Sequence, residues 1–243
     1  MTLGWILAAS VVGGALSVGL AAVSLLLRAS WVPMLVSFAI GALLGAAFLE
    51  VIPHAFERGE PHQAASAILG GIFGFFVLEK LLLWRHCHTE HCEVHDPHET
   101  RPNGGAHDHG RSGLLIAAAF LQSTELGIIA AVAIIAHEIP QEVGDFLILL
   151  HSGYTRAKAL AMNLLSSAAT VVGGLIGYFA LRAVAGWEAT LLGVVGASMI
   201  YVAVADLIPG LHRRPELRDT ASQALLIALG IGAIAAVRAV VAH

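Results

Sequence analysis

The stretch AHEIPQEVGDF, residues 136–146, sets His137, Glu138, Gln141, Glu142 and Asp145 inside an otherwise apolar run. Ionised side chains at bilayer depth are expensive, so they normally face a cavity and carry function. On a helix, Glu138, Glu142 and Asp145 are spaced i, i+4, i+7 and share one stripe, with His137 and Gln141 on the adjacent stripe. Pro140 has no N–H to give the Ala136 carbonyl, which leaves that oxygen for water or an ion. An imidazole, carboxylates and a free carbonyl together suit a borderline divalent cation: Zn²⁺, or Fe²⁺ or Mn²⁺. A dication would also offset the repulsion between Glu138 and Glu142. The plainer reading is a buried polar network tying helices together, but such a network rarely needs this many acids beside a proline. HEIPQE also opens like the HExxH helix of zinc proteases. Gln141 stands where the second histidine belongs and Pro140 distorts the spacing, so no enzyme is expected.

Other ligand types cluster elsewhere. RHCHTEHCEVHDPH holds His86, Cys87, His88, His91 and Cys92, and seven of the chain's 13 histidines fall between 86 and 109. Such tracts bind soft and borderline metals. Glu50 and His54 are i, i+4 at the end of an apolar span, with Pro53 between them, and would suit an entry site or simply be solvated. Asp206 and His212 follow a later span and would lie at its cytoplasmic mouth.

These residues need helices to hold them in a membrane. The chain has 243 residues, 57% hydrophobic and 12% charged, with mean hydropathy +0.80. A soluble core cannot hide that much apolar surface, so the class is all-α, a polytopic membrane helix bundle. The net charge of −4 argues against a nucleic-acid partner, and two cysteines make no disulfide framework. No GxxxxGK[ST] stretch offers an ATP site, so an ion gradient would drive any transport. Uncharged or nearly uncharged spans read at Leu3–Leu27, Trp31–Pro53, Ala64–Leu83, Ala159–Leu181, Ala189–Ala205 and Thr220–Val237. Gly113–Leu150 has one break, QSTE at 122–125. That leaves a long span from Leu126 to Leu150 and a short one, Gly113–Leu121, which rises only about 14 Å. Pro102, Gly104, Gly105 and Gly110 oppose an upstream extension, so the fourth helix reads as truncated, with a water-filled gap beside the acids of the fifth. The expected domain is single, 1–243, with a His/Cys-rich cytoplasmic loop at 85–112.

With the N-terminus outside and eight crossings, nine Lys/Arg fall in one set of loops and three in the other, Lys80 set aside. Positive charge favours the cytoplasmic side, so both termini are expected outside. The expected setting is a bacterial inner (plasma) membrane.

AIIAHEIPQEVGDFLILLHSGYTRAKAL closely resembles the fifth-helix signature of the ZIP (Zrt/Irt-like) divalent-metal transporters. SFAIGALLGAAFLEVIPHAFE is similar to their second helix, MIYVAVADLIPGLH to their seventh and GLLIAAAFL to the end of their fourth. The resemblance implies an eight-helix bundle with both termini outside and a binuclear site built mainly on helices four and five. His137, Glu138 and Glu142 match its helix-five ligands, with Gln141 and Asp145 beside them. It implies transport of zinc, or of iron, manganese or cadmium, into the cytoplasm, with the metal as substrate and no organic cofactor. The expected partners are the lipid bilayer and divalent metal ions, with a homodimer as an open question. The family's His-Asn-x-x-Asp/Glu-Gly motif in helix four is replaced in register by Asp108, His109, Gly110, Arg111, Ser112 and Gly113. A metal-binding membrane protein that no longer transports is therefore the alternative.

Overall fold

The structure is a computed structural model and describes residues 1–23, 31–86, 104–182, 186–212 and 217–241. These residues form eight helical rods with no strand among them. They are α1 (Thr2–Val23), α2 (Val32–Glu57), α3 (Pro61–His86), α4 (Gly104–Gln122), α5 (Thr124–His151), α6 (Arg156–Leu181), α7 (Glu188–Leu211) and α8 (Leu217–Val241). All but α4 are long and apolar enough to cross a membrane. The chain is an integral membrane helix bundle, as its composition predicts.

The fourth helix corrects the sequence reading. It is not confined to Gly113–Leu121 but runs for 19 residues from Gly104, about 28 Å at helical rise. The glycines that argued against it are what its packing requires. A Cβ on Gly113 would collide with the Thr170 carbonyl of α6, and a Cβ on Gly173 of α6 with the Gly110 carbonyl. Backbones this close need small residues at the crossing, and that contact outweighs the low intrinsic helix propensity of glycine. The break at QSTE stands: α4 ends at Gln122, and Ser123 caps α5 by accepting from the Leu126 N–H at 3.0 Å. Arg111, counted with the loop in the charge tally, lies two turns inside α4.

The rods fall into two groups by packing. Helix α4 lies against α6, α1 against α5 and α6, and α5 against α4. In the second group α2 lies against α8 and α3 against α7. Gly41 and Gly230 set the α2–α8 crossing, each facing a backbone carbonyl of the other helix (Ile227 and Phe38). The seam between the groups is mainly α2 on α5. Helices α2 and α7 share a local device: each has a π-helical stretch, Ala47–Val51 and Val202–Leu207, followed by a proline, Pro53 and Pro209. A proline cannot donate to the preceding turn, and a wider π turn absorbs the mismatch. Glu50 and Asp206 both sit in these widened turns.

Candidate metal centre

Glu138 and Glu142 project from α5 into the first helix group, with 1% and 0% of their surface exposed. His109 of α4 stands between them. Its Nε2 lies 2.9 Å from a Glu142 carboxylate oxygen and its Nδ1 lies 3.3 Å from a Glu138 carboxylate oxygen. Ionised carboxylates only accept, so each of these approaches calls for a proton on the ring or on the acid. Helix α6 completes the shell. Ser167 donates to the Glu142 carboxylate at 2.8 Å, Asn163 donates to the Glu142 backbone carbonyl at 2.9 Å, and the Thr170 hydroxyl reaches the Glu138 carboxylate at 3.5 Å. Helix α1 contributes closeness: a Cβ on Gly13 would lie 2.7 Å from the Ile135 side chain and 3.8 Å from a Glu138 oxygen. Among the described residues the space expected to be open beside the fifth helix is filled by His109 and α6, and the two glutamates are shielded rather than hydrated.

His137 lies on the neighbouring face of α5, 7% exposed. It lines a narrow cavity of about 10 Å³ together with Arg111, Ser112, Ile134, Ser198 and Met199, room for roughly one water molecule. Gln141 and Asp145 are half-buried further along α5, and both have polar partners. Among the described residues no group of three or more His, Cys, Asp or Glu side chains is already arranged as a cage for an ion, since the imidazole and the two acids are closed on one another.

The other sequence candidates lie apart from this centre. Glu50 is 5% exposed, and its carboxylate meets the Arg238 guanidinium of α8 at 3.0 Å. His54 lies 3.7 Å from the same carboxylate and 2.9 Å from the Glu50 carbonyl. Asp206 stands in the π turn of α7 and His212 follows that helix, exposed. His86 ends α3; its side chain, with Cys87, His88, His91 and Cys92, lies outside the described residues. Two residues that matter were not singled out. His109 stands where the family motif has its asparagine, so the register marks it as a departure and not as a partner for the acids. Arg238 gave no local signal, since its partner is 188 positions away.

Fold and site define an integral membrane bundle with an acid–imidazole centre between α4, α5 and α6. The model of the family described as "ZIP Zinc transporter" matches residues 2–114 and 111–238, and the chain belongs to the ZIP family. It is 30% identical over 222 residues to Zinc transporter ZIP13 of Pongo abelii, covering 81% of this chain and 64% of that one. It is 28% identical over 246 residues to Zinc transporter YKE4 of Saccharomyces cerevisiae, covering 83% and 69%. It is 27% identical over 278 residues to the Zinc transporter ZIP13 homolog of Drosophila melanogaster, covering 86% and 78%. The chain thus spans about two-thirds to three-quarters of the length of these relatives.

Proposed function

We propose that the chain carries divalent transition-metal cations across the membrane into the cytoplasm, with zinc the foremost substrate, and that it is a transporter rather than an enzyme. The observation that carries this reading is the buried His109 bridge between Glu138 and Glu142. Two acids and an imidazole, brought together from two helices inside an apolar bundle, form a donor set for a borderline dication. An entering ion replaces the contacts of the imidazole with the carboxylates, and any protons held there leave. Ser167 and Thr170 orient the carboxylates as outer partners of a metal site do, and Asn163 holds the Glu142 backbone. His137 supplies a further imidazole from the adjoining cavity, with Gln141 and Asp145 continuing the polar face along α5. The relatives' names, all zinc transporters, agree with this substrate.

The division into two helix groups supports a mechanism in which α1, α4, α5 and α6 move with the site against α2, α3, α7 and α8. The charge bias supports both termini outside, and it survives moving Arg111 into α4, at eight to three. The His/Cys-rich segment then lies in the cytoplasm and takes metal after release. Glu50, already paired with Arg238, acts as a brace for α8 rather than as a ligand. The non-transporting alternative rests on the missing helix-four motif; in favour of transport, α4 runs for 19 residues and brings His109 to the two glutamates. Zinc calorimetry on the purified protein tests the site: tight binding is lost in both His109→Ala and Glu142→Ala. Unchanged affinity in both variants removes the assignment.

A further inference from the structure

Arg111 is a charged residue that this reading leaves without a task. It lies two residues after His109 on α4, on nearly the opposite side of the helix, and about 10 Å from the end at Gly104. Its guanidinium lies 5.2 Å from the ring centroid of Phe75 on α3. The Phe75 ring packs on Tyr201 of α7 with centroids 6.2 Å apart, and the Tyr201 hydroxyl donates to the Glu79 carboxylate of α3. Arg111 therefore begins a ladder, guanidinium to ring to phenol to carboxylate, that crosses from the group of helices bearing the acids to the other group. Helix α4 otherwise packs chiefly on α6 and α5, so this ladder is one of its few links across the seam. The same arginine lines the narrow cavity that His137 enters.

We propose that Arg111 is a charge latch: it holds the two helix groups together while the acid centre lacks a dication, and it lets go when one arrives. The physical reason is repulsion between like charges. A cation over an aromatic face is held by the ring's quadrupole, strongly when water is excluded. A second positive charge held by His137, whose side chain lines the same narrow cavity as Arg111, opposes it. A dication pushes twice as hard as a monovalent ion of equal size, so the latch also discriminates by charge. Motion of the site is thereby tied to occupancy, and the empty protein leaks less. Arg111 is a positioning residue in this scheme and binds no metal.

The proposal rests on the reading of the centre as a metal site, yet its main arm needs no metal. Spin labels are placed on the exposed faces of the two groups, at Leu69→Cys of α3 (71% exposed) and Leu165→Cys of α6 (74% exposed), with Cys87 and Cys92 changed to serine. Pulsed electron–electron resonance on the reconstituted protein reads the distance between them. Without metal the parent shows one dominant distance, and saturating Zn²⁺ raises a second population. In Arg111→Gln and in Phe75→Leu, with no Zn²⁺ added, that second population rises about tenfold, the scale expected for losing a half-buried cation–ring contact. Phe75→Leu leaves α4 untouched and serves if Arg111→Gln folds poorly. If both variants keep the parent's metal-free distribution, the latch is overturned. If both show the second population while Zn²⁺ does not bind the parent at all, the tie between the helix groups stands, and the metal reading fails together with release by a dication.

Discussion

The His109 imidazole on α4 and the Glu142 carboxylate on α5 meet at 2.9 Å, both fully enclosed, in a bundle whose other buried contacts are mostly apolar. Burying either group alone is costly, and removing one partner leaves the other unpaired at bilayer depth. The pair therefore makes a sharp mutational target. His109→Ala should weaken zinc binding at least tenfold and destabilise the fold by about 1–3 kcal/mol. His109→Asn, the residue type found at this register in the family motif, should recover part of both. Calorimetry and thermal unfolding in detergent read the two effects. Equal affinity in parent and alanine variant would sink the role of His109.

The glycine contacts between α4 and α6 make a second target. Gly113→Ala and Gly173→Ala each drive a methyl group into a backbone carbonyl that cannot move without shifting a helix. Each should cost about 2–4 kcal/mol, in the range of severe overpacking. Gly70→Ala and Gly74→Ala on α3, where nothing lies within 4 Å, should be neutral or stabilise by about 0.5–1 kcal/mol. Unfolding temperatures of the four variants, compared side by side, check the ordering. If the two pairs behave alike, the close crossing is wrong and the truncated reading of α4 regains ground.

Between α2 and α8, Glu50 is buried while Arg238 keeps 55% of its side chain exposed. Arg238→Ala leaves a shielded carboxylate without its cation and should cost about 1–2 kcal/mol, the exposed half of the arginine holding the value down. Glu50→Gln paired with Arg238→Ala should cost less than the arginine change alone. A double-mutant cycle on unfolding free energies measures the coupling. A coupling near zero would mean that the pair braces nothing. Zinc affinity is expected to be unchanged in all three variants, since Glu50 lies outside the proposed centre.

Replacing Cys87, His88, His91 and Cys92 together removes sulfur and imidazole ligands but none from α4 or α5. The expected result is fewer zinc ions per chain, with the tightest site intact, read by metal analysis after dialysis. Loss of the tightest site would move the principal binding element to this segment.

What could be read from the sequence follows the range of the forces involved. Hydropathy runs are local, so the spans and the break at QSTE were legible, as was the class of the bundle. The acid stripe on α5 was legible because helical spacing alone places Glu138 and Glu142 together. Helix α4 was misread because its glycines were scored by intrinsic propensity. Their compensation comes from Thr170 and Gly173 on α6, about sixty residues away, and no local pattern reports such a contact. The role of His109 was hidden by the same error, since a histidine in a presumed loop invites no partner. Asn163, Ser167 and Thr170 carry no local signal of a role. Their value as donors to Glu138 and Glu142 appears once α6 is placed.

Radiotracer uptake of ⁶⁵Zn²⁺ into proteoliposomes tests the central claim most directly, with parent, Glu138→Ala, Glu142→Ala and His109→Ala compared after each is shown to be folded. The account predicts saturable accumulation by the parent, and uptake within background for the two glutamate variants and strongly reduced for the histidine variant. Uptake by the glutamate variants at the parent's rate, or a folded parent that binds zinc tightly and moves none, would contradict it.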